Sequence, residues 1–283
     1  MKDANDMPND LSNMPELDST IVHHASYGAA LPERDWVPAP RYLLRRDLLL
    51  SIFADLKPGH VLEMGCGAGA LLNDLARRGF SALGVDFSQS ARDLANAMNV
   101  GNGRIHIASS TEAEQEESFD YLCAFEVLEH IEDDLGTLRD WTRYLKPNGT
   151  LIISVPAHPE RWNPADEWAG HYRRYRRDGL TEMVTSAGYE VTDVQCYGFP
   201  LANIMERMAG GIYARQSAAR EREALDQTQR TEESGADRKL LTKLWPFYSL
   251  PPMTLAMRLA WKLQRMSIRS DRGIGYIVTA RKV

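Results

Sequence analysis

The chain has few of the features that assign a protein quickly. It holds three cysteines, Cys66, Cys123 and Cys196, odd in number and far apart, which argues against a disulfide framework and suits a reducing compartment. No CxxC pair suggests structural zinc. No apolar run approaches the roughly 18 residues of a membrane span, and the opening MKDANDMPNDLSNMPELDST lacks the apolar stretch of an export signal. An excess of positive charge is also missing. The formal net charge of -6 gives no global pull towards nucleic acid, which makes that partner unlikely a priori. These absences point to a cytoplasmic globular protein. Its 283 residues can bury a sizeable core in one decorated domain or two small ones.

What is present is an alternation. Residues 1–20 are polar and acidic and are expected to form a disordered tail, because they bury too little to offset the entropy of ordering them. LPERDWVPAPRYLLRRDLLLSIFADL offers a proline-bounded turn and a helix with Leu43, Leu44, Leu48, Ile52 and Leu56 at helical spacing. From His60 the runs HVLEM, SALGV, RIHIA, YLCAF, TLIISV and YEVTDVQCY read as strands. Helical ALLNDLARRG, SQSARDLANAM, DLGTLRDWTRYL and RDGLTEMVTSAG separate them. Such alternation predicts an open α/β sheet, mostly parallel, with helices on both faces. The pattern breaks at Gly198. RQSAAREREALDQTQRTEESGADRK reads as solvated helix or mobile loop, PPMTLAMRLAWKLQRMSIRS as a helix opened by prolines, and IGYIVTARKV as a closing edge strand. The expected division is a tail over 1–20, an α/β catalytic domain over 21–197, a helical insertion over 198–273 acting as lid or substrate access, and a returning strand over 274–283.

VLEMGCGAGALLNDLARRGFSALGVDFS carries the densest signal. A strand ends at Glu63, and Gly65, Cys66, Gly67 and Gly69 make the turn into a helix, where missing Cβ atoms let a ligand approach the backbone. Asp86 follows at the tip of the next strand, spaced to reach ribose hydroxyls. A nucleoside-containing cofactor is implied. The order is ExGCGxG rather than the dinucleotide GxGxxG, and the leading acid would repel a pyrophosphate but attract an ammonium. A cofactor carrying an amino acid and a sulfonium therefore fits better than a nicotinamide dinucleotide.

On these residues the chain resembles the class I S-adenosylmethionine (SAM)-dependent methyltransferases, from about Arg41 to Tyr197 with a last strand returning at Ile274. The resemblance implies a Rossmann-like sheet, mostly parallel with an antiparallel last strand and a helical insertion before it. It also implies that Glu63, Gly65, Cys66, Gly67 and Gly69 hold the methionine end of SAM, Asp86 the ribose, and Phe87 and Ser88 flank the adenosine. SFDYLCAFEVLEH looks like the family's fourth strand, and LKPNGTLIISVP like the turn into its fifth. Many members place an acid after the third strand to accept from the adenine amine. Here that region reads IASSTEAE, so Ser109 or Ser110, or a backbone carbonyl, has to substitute.

FEVLEH places Glu126, Glu129 and His130 at i, i+3 and i+4, on one face if the segment is helical. At the carboxyl end of a strand it faces the crevice where open α/β sheets bind ligands. The ExxEH order is similar to that of two groups in the family, the ubiquinone-pathway O-methyltransferases and the enzymes that 2′-O-methylate the 3′ ends of small RNAs. In both, the corresponding residues are understood to bind a divalent cation that holds the accepting oxygen. Two carboxylates and an imidazole suit Mg²⁺, Mn²⁺ or Zn²⁺. LEH after this strand also occurs in metal-free members, where the acid contacts the cofactor and the histidine serves as a general base or caps the turn. By the small-RNA resemblance a further histidine follows the fifth strand. Of His158 and His171, His171 is the closer match because it too precedes a basic, aromatic-containing helix start.

HYRRYRR, residues 171–177, can grip an anionic substrate group, close a lid with Trp162 and Trp168, or be a surface turn whose arginines pair with Asp166, Glu167 and Asp178. Trp36, Arg41 and Tyr42 form a second candidate lid. In the late helix, Arg258, Lys262, Arg265 and Arg269 make one basic stripe, either solvated or facing a membrane surface through the 251–269 segment. The resulting expectation is SAM-dependent methylation of an oxygen on a small-molecule or lipid-linked acceptor by a cytoplasmic enzyme, membrane-peripheral if the basic stripe faces a membrane, with Glu126, Glu129, His130 and His171 handling the acceptor. An RNA 3′-end 2′-O-methyltransferase-like enzyme, N- or C-methylation, and a non-catalytic SAM-binding regulator are the alternatives.

Overall fold

A computed structural model of the chain describes residues 21–112, 115–208 and 238–283. The expected tail and most of the charge-rich stretch after Gly198 lie outside them. A short hairpin of β1 (Val22–His24) and β2 (Gly28–Ala30) precedes the helix α1 (Pro40–Ala54). Proline at its first position starts α1, because the missing N–H would have had no helical partner there. Then come β3 (His60–Met64), α2 (Ala70–Ala76), β4 (Ser81–Val85), α3 (Gln89–Met98) and β5 (Ile105–Ala108). The chain continues through β6 (Phe119–Phe125), α4 (Asp134–Thr142), β7 (Leu145–Pro156), α5 (Pro164–Ala169), α6 (Arg177–Ser186) and β8 (Tyr189–Tyr197). Residues 201–208 are helical, and α7 (Lys239–Tyr248), α8 (Pro251–Ser267) and β9 (Gly275–Lys282) follow.

The seven longer strands form one sheet in the order β5-β4-β3-β6-β7-β9-β8. All neighbours are parallel except the two pairs made by β9. The mostly parallel sheet with an antiparallel last strand is therefore as expected, but β9 is not an edge. It lies between β7 and β8, with Ile277 facing both Ser154 and Gln195. Tyr276, Ile277, Val278 and Ala280 are all buried, as an interior strand requires, and the true edge β8 carries the polar Glu190, Thr192 and Asp193.

Each face of the sheet has its own core. Tyr121, Cys123 and Phe125 of β6 pack with α1, α2, α7 and α8, whereas Leu122 and Ala124 pack with α4 and α6. This is the two-residue period of a strand covered on both sides. The insertion is bound to the first core. Gln264 of α8, fully buried, donates from Nε2 to Leu44 O and accepts from Gly198 N–H, and Trp261 donates to Leu43 O.

Arg46 of α1 ties three elements. Its guanidinium donates from Nε and Nη2 to the two oxygens of Asp74 on α2, each at 2.6 Å, and from Nη1 to Ser26 O between β1 and β2. Both side chains of the pair are buried. Arg46→Ala strands the Asp74 charge and is expected to cost about 3–5 kcal/mol of unfolding free energy. Urea denaturation of the two proteins checks this, and Arg46→Lys should lose less, since it keeps the charge but not the two-pronged contact.

Candidate active site

The carboxyl ends of the parallel strands β3, β4, β6 and β7 lie along one edge of the sheet, the place where open α/β sheets bind ligands. After β3 the chain turns through Gly65, Gly67 and Gly69, all with positive φ. Gly65 and Cys66 donate their N–H groups to Val85 O at the end of β4, and Gly67 donates to Asp86 Oδ2 at 2.9 Å. Asp86 Oδ1 accepts from Ser88 N–H. Asp86 is thus held by the loop backbone, leaving its other lone pairs for a ligand diol. A Cβ at Gly65 would stand 2.5 Å from Val127, so this turn needs glycine for space as well as for conformation. At Gly67 a Cβ would meet nothing within 4 Å, which leaves the loop backbone open on that side. Cys66 turns its side chain inward against Leu72 and Ala95, with its Sγ 4.0 Å from Gly67 O.

Glu63 is buried, and its Oε2 has no hydrogen-bond partner among the described residues. Burial pushes its carboxyl up to about 8 against the pull of Arg45, and Asp86 adds to the rise. Such a group is short of one cation. The ammonium of a methionine moiety has the chemistry that is missing, so the residues present fit SAM. Phe87 is exposed beside Asp86, Ser88 caps α3 by accepting from Ala91 N–H, and Ser109 and Ser110 are exposed directly after β5.

FEVLEH is not a helix. Glu126 directly follows β6 with φ at +60°, and only Leu128–His130 form a 3₁₀ turn, so Glu126 does not share a helical face with Glu129 and His130. A left-handed non-glycine residue costs about 1–3 kcal/mol and persists only where its surroundings over-determine it. Here they do. Glu126 N–H donates to Ser154 O, and the carboxylate accepts from Arg41 at 2.6 Å, Ser154 Oγ at 3.1 Å and the Tyr197 hydroxyl at 3.0 Å, with Arg45 at 3.3 Å. Burial works to raise this carboxyl, but Arg41 and Arg45 outweigh it and hold it down to about 2.

Glu129 has the opposite environment. It is fully buried, and neither carboxylate oxygen has a hydrogen-bond partner among the described residues. Burial, then the Glu126 charge, raises its pKa well above the usual carboxylate range. The His130 and His171 rings stand beside it, 4.7 Å apart by centroid and nearly perpendicular, and ligand atoms of Glu129, His130 and His171 all lie within 4.8 Å of one another. Burial and His171 lower His130 to about 4. His171 Nδ1 lies 2.9 Å from Asp166 Oδ1, and Asp166 is itself gripped by Arg174 Nε and Nη2. Carboxylate contact at one imidazole nitrogen fixes the ring and leaves the other nitrogen to act, the usual support of a metal-ligating histidine.

Three of the four expected acceptor-side residues therefore converge, and Glu126 stands outside the cluster. His158 is elsewhere, grouped with Cys196 and Asp271. The arginines of HYRRYRR are spent on structure: Arg173 on Glu132 O and Asp134, Arg174 on Asp166, Arg176 on Glu160, and Arg177 on Val194 O. Of the acids expected to pair with them, Asp166 does so, whereas Glu167 instead accepts from Trp162. Sequence reasoning missed Arg45, Ser154 and Tyr197 around Glu126, and the support that Asp166 lends to His171. A carboxylate five residues before a candidate ligand was the one available clue to the last.

A family profile described as a methyltransferase domain matches residues 39–194, more than half of the chain. The chain belongs to that family. It is a class I SAM-dependent methyltransferase. The ubiquinone biosynthesis O-methyltransferase of Rickettsia canadensis (strain McKiel) is 26% identical over 182 residues, which span 58% of this chain and 76% of that protein. The enzyme of the same name from Vibrio vulnificus (strain YJ016) is 32% identical over 117 residues, 40% of this chain and 50% of that one. This methyltransferase thus spans between half and three quarters of those relatives. An S-adenosylmethionine-dependent methyltransferase of known structure from Mesorhizobium loti shares the fold, with a TM-score of 0.52 at 16% identity over 86% of this chain and 98% of the other.

The raised Glu63 carboxyl makes a thermodynamic prediction. At pH 7 it is mostly protonated, whereas pairing with an ammonium selects the carboxylate, so SAM binding should release up to one proton. Affinity should rise by up to about tenfold per pH unit as the pH climbs towards about 8, then level off. Titration calorimetry in buffers of different ionisation enthalpy reads the proton directly, and Glu63→Gln should abolish its release.

Proposed function

We propose that this methyltransferase methylates a hydroxyl oxygen of a small-molecule or lipid-linked acceptor, at a divalent-cation centre formed by Glu129, His130 and His171. One observation carries the reading: a fully buried carboxylate with no hydrogen-bond partner among the described residues faces two imidazoles, one of them oriented by a carboxylate. Two nitrogens and a carboxylate suit Zn²⁺ or Mn²⁺, and Mg²⁺ with less preference. A cation bound there would lower the pKa of the acceptor hydroxyl and fix its oxygen. The relatives named for O-methylation in ubiquinone biosynthesis support oxygen as the accepting atom.

The protein's own groups do the rest. Glu63 and Asp86 hold the two ends of the cofactor, and the glycine turn lets the backbone close on it. Asp166 keeps His171 in one orientation, and Glu126 holds Arg41 and Arg45 by ion pairs. Methyl transfer from a sulfonium is an in-line displacement, so catalysis is chiefly positioning of the acceptor oxygen opposite the leaving sulfur.

Excess chelator should abolish turnover, and Mg²⁺, Mn²⁺ or Zn²⁺ should restore it, with SAM affinity little changed. Glu129→Gln and His130→Ala should each cost about as much activity as chelation, because each removes the same centre. Asp166→Asn should weaken metal affinity about 10–100-fold while SAM still binds. Full activity in excess chelator together with a large loss in His130→Ala would instead select His130 as a metal-free general base.

A further inference from the structure

The helices α7 and α8 each bury one apolar face and expose another. On α8, Met257, Ala260, Trp261 and Gln264 face the body of the protein, while Leu255, Leu259, Leu263 and Met266 are exposed on the opposite side. Met266 is 78% exposed. On α7, Trp245 is buried, whereas Leu240, Leu244 and Phe247 are exposed, Phe247 by 66%. Exposed large apolar residues that recur every three or four positions along two successive helices form a stripe, and a stripe of this kind marks an interaction surface.

The charge beside it is one-sided. Between Arg238 and Ser270 the chain has seven arginines and lysines and no aspartate or glutamate, in a protein of net charge -6. Three of the four cations of the basic stripe are engaged, since Arg258 donates to Ser26 Oγ, Arg265 pairs with Asp47, and Arg269, just past α8, pairs with Asp193. Lys243 and Lys262 stand exposed next to Leu244, Leu259 and Leu263. A second copy of this chain is a poor occupant, because a two-fold contact would set this basic belt against itself. No described helix is long and apolar enough to cross a membrane. An apolar stripe bordered by cations, on helices that lie along the surface, instead matches the headgroup layer of an anionic bilayer.

We propose that the outer face of α7 and α8 docks this methyltransferase on an anionic membrane surface, with Leu244, Phe247, Leu255, Leu259 and Met266 entering the headgroup boundary and Lys243 and Lys262 above it. This does not depend on which acceptor is methylated.

Flotation of the full chain with vesicles tests it. The protein should bind phosphatidylcholine vesicles containing phosphatidylglycerol at low salt, and bind phosphatidylcholine alone far less. Changing Lys243 and Lys262 to glutamine should weaken anionic-vesicle binding about fivefold per lysine, the equivalent of ~1 kcal/mol for each cation near such a surface. Phe247→Ser with Leu255→Ser and Leu259→Ser should abolish binding at every salt concentration, with SAM affinity kept as the control for folding. Two results overturn the proposal: no association of the unaltered protein with anionic vesicles at low salt, or a dimer in sedimentation velocity that the serine variant converts to monomer.

Discussion

The carboxylate of Glu126 is the point on which the carboxyl end of the sheet depends. It sits directly after β6 and accepts from α1 through Arg41 and Arg45, from β7 through Ser154, and from β8 through Tyr197. Four elements that are distant in the chain are thereby fixed at one anion. The arrangement holds because two guanidiniums and two hydroxyls compensate the loss of water around a single charge. It also forces the left-handed backbone at Glu126, and that bend redirects the chain so that Leu128–His130 curl back into the sheet's carboxyl end. Glu129 reaches its buried position as a consequence of how Glu126 is held.

The two acids of FEVLEH show how environment divides identical chemistry. Only two residues separate them, yet one is held down to about 2 by arginines and the other is driven towards its neutral form by burial and by the first. A charged and an uncharged carboxyl side by side is a natural outcome of low dielectric, since a second uncompensated anion there would be far costlier. The first belongs to the architecture. The second is left wanting a cation.

Much of the fold could be read from local pattern. The six strands from β3 to β8, their intervening helices and the glycine turn all follow from short-range periodicity and from an acid at the right place. What could not be read depends on long-range pairing. IGYIVTARKV looks like any exposed terminal strand until β8 is placed outside it. FEVLEH has helical spacing, but Ser154, Arg41 and Tyr197 impose a different backbone, and none of them is near it in sequence. His171 was preferred to His158 on its flanking residues, and the path of α5 then brings it to His130, whereas His158, at the strand end itself, turns towards Cys196. Recognition is one reading of HYRRYRR, yet its arginines meet Asp166, a partner the local reading did offer, together with Asp134, Glu160 and the carbonyls of Glu132 and Val194, which it did not. The inner side of α7 has a similar origin: Arg238 lies over the rings of Trp36 and Tyr42, and Tyr248 donates to Pro38 O, so residues 36–42, expected as a cover for the cofactor, are themselves covered by the insertion.

The interior place of β9 has a consequence for assembly. Because β8 pairs with no strand of the sheet but β9, it has no partner strand until β9 is available. During synthesis the first five strands of the sheet can pair as they emerge, but β8 must wait while α7 and α8 are made. The excursion from Tyr197 to Gly275 is then closed in one step, when β9 slots between its neighbours. The insertion is thus committed to the body of the enzyme at the moment the sheet is completed, and the last strand acts as the fastener of a domain that was begun more than two hundred residues earlier.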